Sequence, residues 1–132
     1  MVYSEVVKFK IGSQEVLDIT GKVEEIVRKS GIEDGICNVF LKGSTGSLLL
    51  NENDPMLLQD LKGVLEKMAN SEEIYQHIEN AFSHIRSMLF GSNQSIPIKG
   101  GNMFLGMWQN IMVINFDTRS RDREILVTIV GD

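Results

Sequence analysis

The 132-residue sequence has one cysteine, two prolines, one tryptophan and two histidines. With Cys37 alone, an intrachain disulfide and a thiolate metal cluster are excluded, and a reducing, cytoplasmic setting fits. Cys37 stands in the apolar run GICNVFL, where a buried small hydrophobe is the simpler reading than a nucleophile. No apolar run reaches the roughly 18–20 residues that cross a bilayer as a helix. The opening MVYSEVVKFK lacks the order of a basic and then a long apolar region that marks a signal peptide, and reads as a strand. Cationic side chains are also in deficit. Thirteen Lys and Arg stand against 18 Asp and Glu, for a net charge of −5 and a pI near 5.0. That balance works against nonspecific nucleic-acid or anionic-membrane binding, so neither partner is expected. The local exception is Arg119, Arg121 and Arg123, read as a solvated turn or as an anion contact through one or two of them.

What is present describes an α+β protein. There are no repeats, low-complexity tracts or linkers, and residues 1–132 are expected to form a single domain. YSEVVKFKI (3–11) and EVLDI read as strands by alternation. From Thr20, residues Ile19, Val23, Ile26 and Val27 share a helical face, Thr20 can cap the start, and Gly31 supplies a stop. ICNVFLK (36–42) and SLLLN (47–51) read as buried strands separated by a GSTG hairpin or tight turn. Asp54 is a good N-cap, Pro55 suits a first helical position, and Leu57, Leu61, Val64, Leu65 and Met68 form a stripe. A further helix is expected through Ile74, Ile78, Ala81, Phe82, Ile85, Met88 and Leu89, stopping at Gly91. SIPI, MFLGMWQ, IMVINF and EILVTIV read as strands, with turns at KGGN and DTRSRD. Strands segregated from helices in this order predict a mixed, largely antiparallel sheet arrangement.

The glycine-rich loop Gly43-Ser44-Thr45-Gly46-Ser47 is not a P-loop, because it lacks the Gly-Lys-Ser/Thr ending and feeds a strand instead of a helix. A plain turn or another type of ligand loop remains. His77 and His84 would lie about 10.5 Å apart along one unbroken helix, too far to share a metal; a joint site requires His77 to precede the helix in a loop. Two unconnected histidines are the alternative. Asp54 is explained by capping, whereas Glu52 and Asp60 are available for acid-base work. Trp108 reads equally as a core or subunit-interface aromatic in a strand, with Gln109 on the opposite face.

The ordered set VFLKGSTGSLLLNENDP, QDL, YQH, SHIRS, LFGSNQSIPI, GMWQN and the terminal IVGD resembles the YjbQ-like proteins, described as secondary thiamine-phosphate synthases. The resemblance is close over residues 35 to 132 and looser before. It implies two packed sheets with helices, a homotrimer whose subunits share sites, and a site of three histidines, a glutamate, an aspartate and a glutamine. By position, those residues correspond to Glu52, Asp60, His77, His84 and Gln109, the last beside Trp108. The first family histidine corresponds to Gly43, with Ser44 and Thr45 keeping hydroxyls beside it. The segment between the tyrosine-histidine and Ser-His-Ile motifs is shorter than is usual in the family, as is that between NEN and DP. The implied roles are catalytic for Glu52, Asp60 and His84; ligand-binding for Ser44, Thr45, Gln109 and Arg123; and metal-binding for His77 and His84. A divalent metal such as zinc, weakened by Gly43, and a small phosphorylated molecule are the implied cofactor and ligand. The implied activity is of thiamine-phosphate synthase type, the alternative being a non-catalytic binding protein or structural trimer.

Overall fold

The computed structural model describes residues 1–132. It has two antiparallel sheets and three helices. The larger sheet has the order β1-β8-β3-β5-β6, formed by β1 (Val2–Ile11), β3 (Gly35–Leu41), β5 (Asn93–Lys99), β6 (Asn102–Met103) and β8 (Arg121–Gly131). The smaller has the order β2-β7-β4, formed by β2 (Val16–Asp18), β4 (Gly46–Asn51) and β7 (Asn110–Asn115).

Side-chain alternation explains the layers. In β8, Ile125, Val127 and Ile129 point inward and are buried, while Leu126 and Val130 face out. The smaller sheet is covered on both faces, which is why its strands read as unbroken apolar runs. Leu48, Ile111 and Val113 enter the main core with Ile26 and Val39, whereas Leu49, Met112 and Ile114 join Phe116 and Leu65 in a second cluster. The outer face of the larger sheet carries no helix in this chain, and its rows Val2-Val130-Ile36 and Val6-Leu126-Phe40 are exposed.

Helix α1 (Thr20–Ser30) buries Val23, Ile26 and Val27 as the spacing predicts, and Gly31 ends it at φ 69° with its N–H on the Arg28 carbonyl. Its start differs from expectation. Asp18, not Thr20, supplies the capping oxygen, accepting from both the Thr20 N–H (2.9 Å) and the Thr20 hydroxyl (2.7 Å). The Thr20 oxygen is turned to the Ile111 N–H instead. Helix α2 (Pro55–Met68) begins as expected, with Asp54 accepting from Met56 and Leu57 N–H groups. Of its apolar stripe only Leu65 is buried, and Leu57, Val64 and Met68 remain exposed in the single chain.

Three expectations are corrected. The GSTG loop is no hairpin: β3 and β4 lie in different sheets, so the loop carries the chain from one layer to the other. Helix α3 covers only Ala81–Phe90. Ile74 and Ile78, which completed its apolar period, lie before it at 96% and 87% exposure. MFLGMWQ is strand only at Met103; the rest turns, and Trp108 is exposed rather than core.

Candidate functional site

A wide cleft of about 940 Å³ opens where β1 ends, β8 begins and the 42–45 loop crosses between sheets. Its lining concentrates positive charge in an acidic protein: Lys8, Lys10, Lys42, Arg121 and Arg123, with His84 and Asn80 beside them. Strand alternation puts Lys8 and Lys10 on one face of β1, opposite Glu124 and Asp122 of β8. Glu124 lies between two lysines, 3.8 Å from Lys8 Nζ and 3.3 Å from Lys42 Nζ.

Arg123 is the innermost cation. It is on the inward face of β8 at 6% exposure and has no carboxylate within ion-pair distance. Its Nη2 donates to the Thr45 hydroxyl (2.9 Å) and to Asn115 Oδ1 (2.7 Å). Its Nε is buried without an acceptor. Burial pushes the guanidinium pKa down, with Asp117 opposing that effect through its charge. Two loop glycines make room for it. A Cβ on Gly43, whose φ is +124°, would stand 2.7 Å from Arg123 Nη1, and one on Gly46 would meet the Ile114 carbonyl at 2.9 Å and Arg123 Cζ at 3.1 Å. The loop therefore turns the chain and encloses a guanidinium, with Gly43 leaving it room and Gly46 allowing close approach of both Arg123 and the Ile114 backbone.

Asp117 organises the floor. Burial works against its ionisation, yet hydrogen bonds from the Thr118 N–H, Arg121, Thr45 and Asn80 outweigh that and hold the carboxyl at about 2. The Arg121 Nε contact is 2.7 Å and the Thr45 hydroxyl contact 3.1 Å. Thr45 thus donates to Asp117 and accepts from Arg123, so its hydroxyl is committed to the framework, while Ser44 is exposed on the rim.

Helix α3 is pinned by hydroxyls. Ser87 donates to the Gly46 carbonyl (2.6 Å), Ser47 donates to the Ser87 carbonyl (3.1 Å), and Ser83 donates to the Phe116 carbonyl (2.7 Å). These bonds fix the helix that brings His84 to the cleft. The segment between α2 and α3 is anchored at its start by buried Arg86, which donates to the Ala69 carbonyl through Nε (3.1 Å) and Nη2 (2.9 Å), and to Glu66 of α2 (2.7 Å). His77 lies in that segment and not in a helix, which meets the geometric requirement for pairing. The imidazole centroids of His77 and His84 are 5.0 Å apart, with planes at 63°.

The other sequence candidates are elsewhere. Residue 46 of β4 pairs with Asn115 and residue 51 with Asn110, so the two ends of the smaller sheet are about 17 Å apart at 3.3–3.4 Å per residue. Ser44, Thr45, His77, His84 and Arg123 gather at the first end. Glu52 and Gln109 are at the second, where Gln109 Oε1 accepts from the Gly106 N–H (2.7 Å), and Asp60 is exposed on α2. No group of three His, Cys, Asp or Glu side chains is placed to hold a metal ion, so a metal on the two imidazoles lacks a third ligand within this chain. Lys8, Lys10, Lys42, Asn80 and Asp117 were not singled out from sequence. The alternation of Lys8 and Lys10 was the available signal, but pairing with β8 was needed to give it meaning. Cys37 is buried, and desolvation raises its thiol to about 11, as an inert thiol requires.

Comparison with known proteins gives a consistent result. A UPF0047 protein from Methanothermobacter thermautotrophicus is 39% identical over 120 residues, covering 89% of this chain and 83% of that protein. One from Methanocaldococcus jannaschii is 36% identical over 121 residues, covering 90% and 87%. A crystal structure of a YbjQ-like protein of unknown function from Sulfolobus solfataricus superposes with a TM-score of 0.90 at 30% identity, covering all of both chains. A YjbQ/UPF0047 structure from Clostridium acetobutylicum gives 0.85 at 34% identity, covering 94% of this chain and 99% of that one. The model of the family described as UPF0047 protein YjbQ-like matches residues 5–132, and the chain belongs to that family.

Proposed function

We propose that the basic cleft binds a small phosphorylated molecule, with Arg123 as its inner anchor and Lys8, Lys10 and Lys42 as its rim. The observation that carries this reading is the guanidinium of Arg123, buried without a carboxylate and with an orphaned Nε. A buried cation without a direct ion-pair partner carries a desolvation cost that Asp117 offsets only from a distance, and an anionic ligand offsets more of it. Titration with glycerol 3-phosphate tests it. Saturable binding that weakens at least about tenfold in Arg123→Met, with the fold retained, is expected. Equal binding in the variant, or none in the unaltered protein, overturns the reading.

Within it, transfer of the thiamine-phosphate synthase type rests on the motif resemblance and on the proximity of His77 to His84. Such chemistry must neutralise a departing pyrophosphate, a task suited to the cations here and to a divalent metal. His77 and His84 would hold that metal with a ligand from outside the chain. The homotrimer implied by the resemblance supplies a source, and exposed Met56, Phe104, Met107 and Trp108 give it surface to bury. Thiamine phosphate formed from its two precursors with added divalent metal, and lost in His84→Ala, is the expected result. Silence would move the protein to the second reading, a non-catalytic binder, which is favoured by Arg123 occupying the space beside Gly43.

A further inference from the structure

A separate groove of about 330 Å³ runs between α2 and the smaller sheet, at the small end of the roughly 300–1,000 Å³ typical of ligand pockets. Its walls are Leu48, Leu49, Leu58, Leu61, Phe90 and Met112. Its few polar groups are unlike those of the basic cleft. Glu52 lines the groove, and its carboxylate accepts no hydrogen bond from the protein, the one Glu52 side-chain or loop contact being its backbone N–H donating to Asn51 Oδ1. Gln94 spends its Nε2 on the Leu48 carbonyl (3.0 Å), leaving its Oε1 without a donor. No Lys, Arg or His lines the groove. An apolar slot bearing a carboxylate at Glu52 and an amide oxygen at Gln94, with no cation to repel, matches an apolar body carrying a positively charged or N–H-rich head.

We infer that this groove is a second ligand site, taking a small apolar amine whose ammonium group is held by Glu52. The groove shares no lining residue with the basic cleft, and Glu52 lies beyond the far end of β4, about 17 Å along the strand from the end beside that cleft. Within one chain, Glu52 is therefore placed to serve the groove as a binding carboxylate. The closed fit of α2 over the sheet at Leu65, which is fully buried, leaves the groove as the open stretch toward the helix N-terminus.

Three probes of nearly equal shape test the charge requirement: phenethylamine, 2-phenylethanol and phenylacetate, each titrated by NMR against the full chain while its leucine and methionine methyls are observed. Phenethylamine is expected to shift the groove methyls saturably and to bind about tenfold more tightly than the alcohol, with phenylacetate weaker again. Glu52→Gln should bring the amine to the level of the alcohol while leaving the alcohol unchanged. Leu61→Phe, which fills the groove, should abolish binding of both with the rest of the spectrum preserved. Equal affinity for amine and acetate, insensitivity to Glu52→Gln, or no saturable shift overturns the inference. So does sedimentation showing an oligomer in which the groove methyls are shielded from all three probes, because a second copy would then be the occupant.

Discussion

At Gly43 a backbone φ of +124° and an Arg123 nitrogen 2.7 Å from the Cβ position act together. A histidine placed there would carry backbone strain and displace the guanidinium, so Gly43→His is expected to cost about 1–3 kcal/mol and to weaken phosphate binding. Thermal unfolding and the glycerol 3-phosphate titration check both outcomes. Asp117 yields a pH prediction. Its folded carboxyl lies near 2 against an ordinary 3.8, so it stabilises the fold fully above about pH 4 and loses that contribution as pH falls toward 2. The shift corresponds to about 2 kcal/mol for this buried group. Asp117→Asn should lose roughly that amount at pH 7 and show a shallower acid limb, measured by denaturant unfolding at pH 7, 4 and 2.5. Only part of this was visible in sequence: Arg123 continues the inward alternation of Ile125, Val127 and Ile129 and stands out as an anion contact, whereas the hydroxyl relay from Thr45 to Asp117 shows no periodicity.

Among elements, legibility followed burial. Helix α1 and strands β1 and β8 have one buried face, so their periods were plain, whereas β4 and β7, buried on both faces, were recognisable only as short apolar runs. The same reasoning failed at 74–80, where Ile74 and Ile78 kept a helical period but contribute nothing to this chain's core. It failed again at MFLGMWQ, whose apolar residues are mostly exposed in a turn. The approach of His77 to His84 requires the 74–80 segment to be non-helical, and Arg86 anchors the start of the connection at Ala69. Replacing Arg86 with Met strips the Ala69 carbonyl of two donors and should cost about 1–3 kcal/mol. Hydrogen exchange should then accelerate through residues 70–80 more than in α1; uniform acceleration would mean that Arg86 supports the fold generally and not that segment.

Across the whole molecule, the charge is divided: a net −5 surrounds a cleft lined by five cationic side chains, Lys8, Lys10, Lys42, Arg121 and Arg123. Affinity for an anionic ligand should therefore fall several-fold as ionic strength rises from about 0.01 to 0.15 M, because the Debye length shrinks from about 30 to 8 Å. The antiparallel two-sheet class was legible because strands and helices are segregated along the chain, but the sharing of strands between sheets was not, since it is set by pairings remote in sequence. The most remote of these is β8, which lies between β1 and β3 in the larger sheet. Val2 is paired with Val130, and the terminal ammonium donates to the Gly131 carbonyl at 2.7 Å. During synthesis, the first strand thus emerges long before the strand that must separate it from the third. A nascent chain stopped before Arg121 has its sheet divided, with β1 on one side of a gap and β3 on the other. Closure of the larger sheet must wait for β8 to emerge, and until then β1 and β3 each keep an unpaired strand edge.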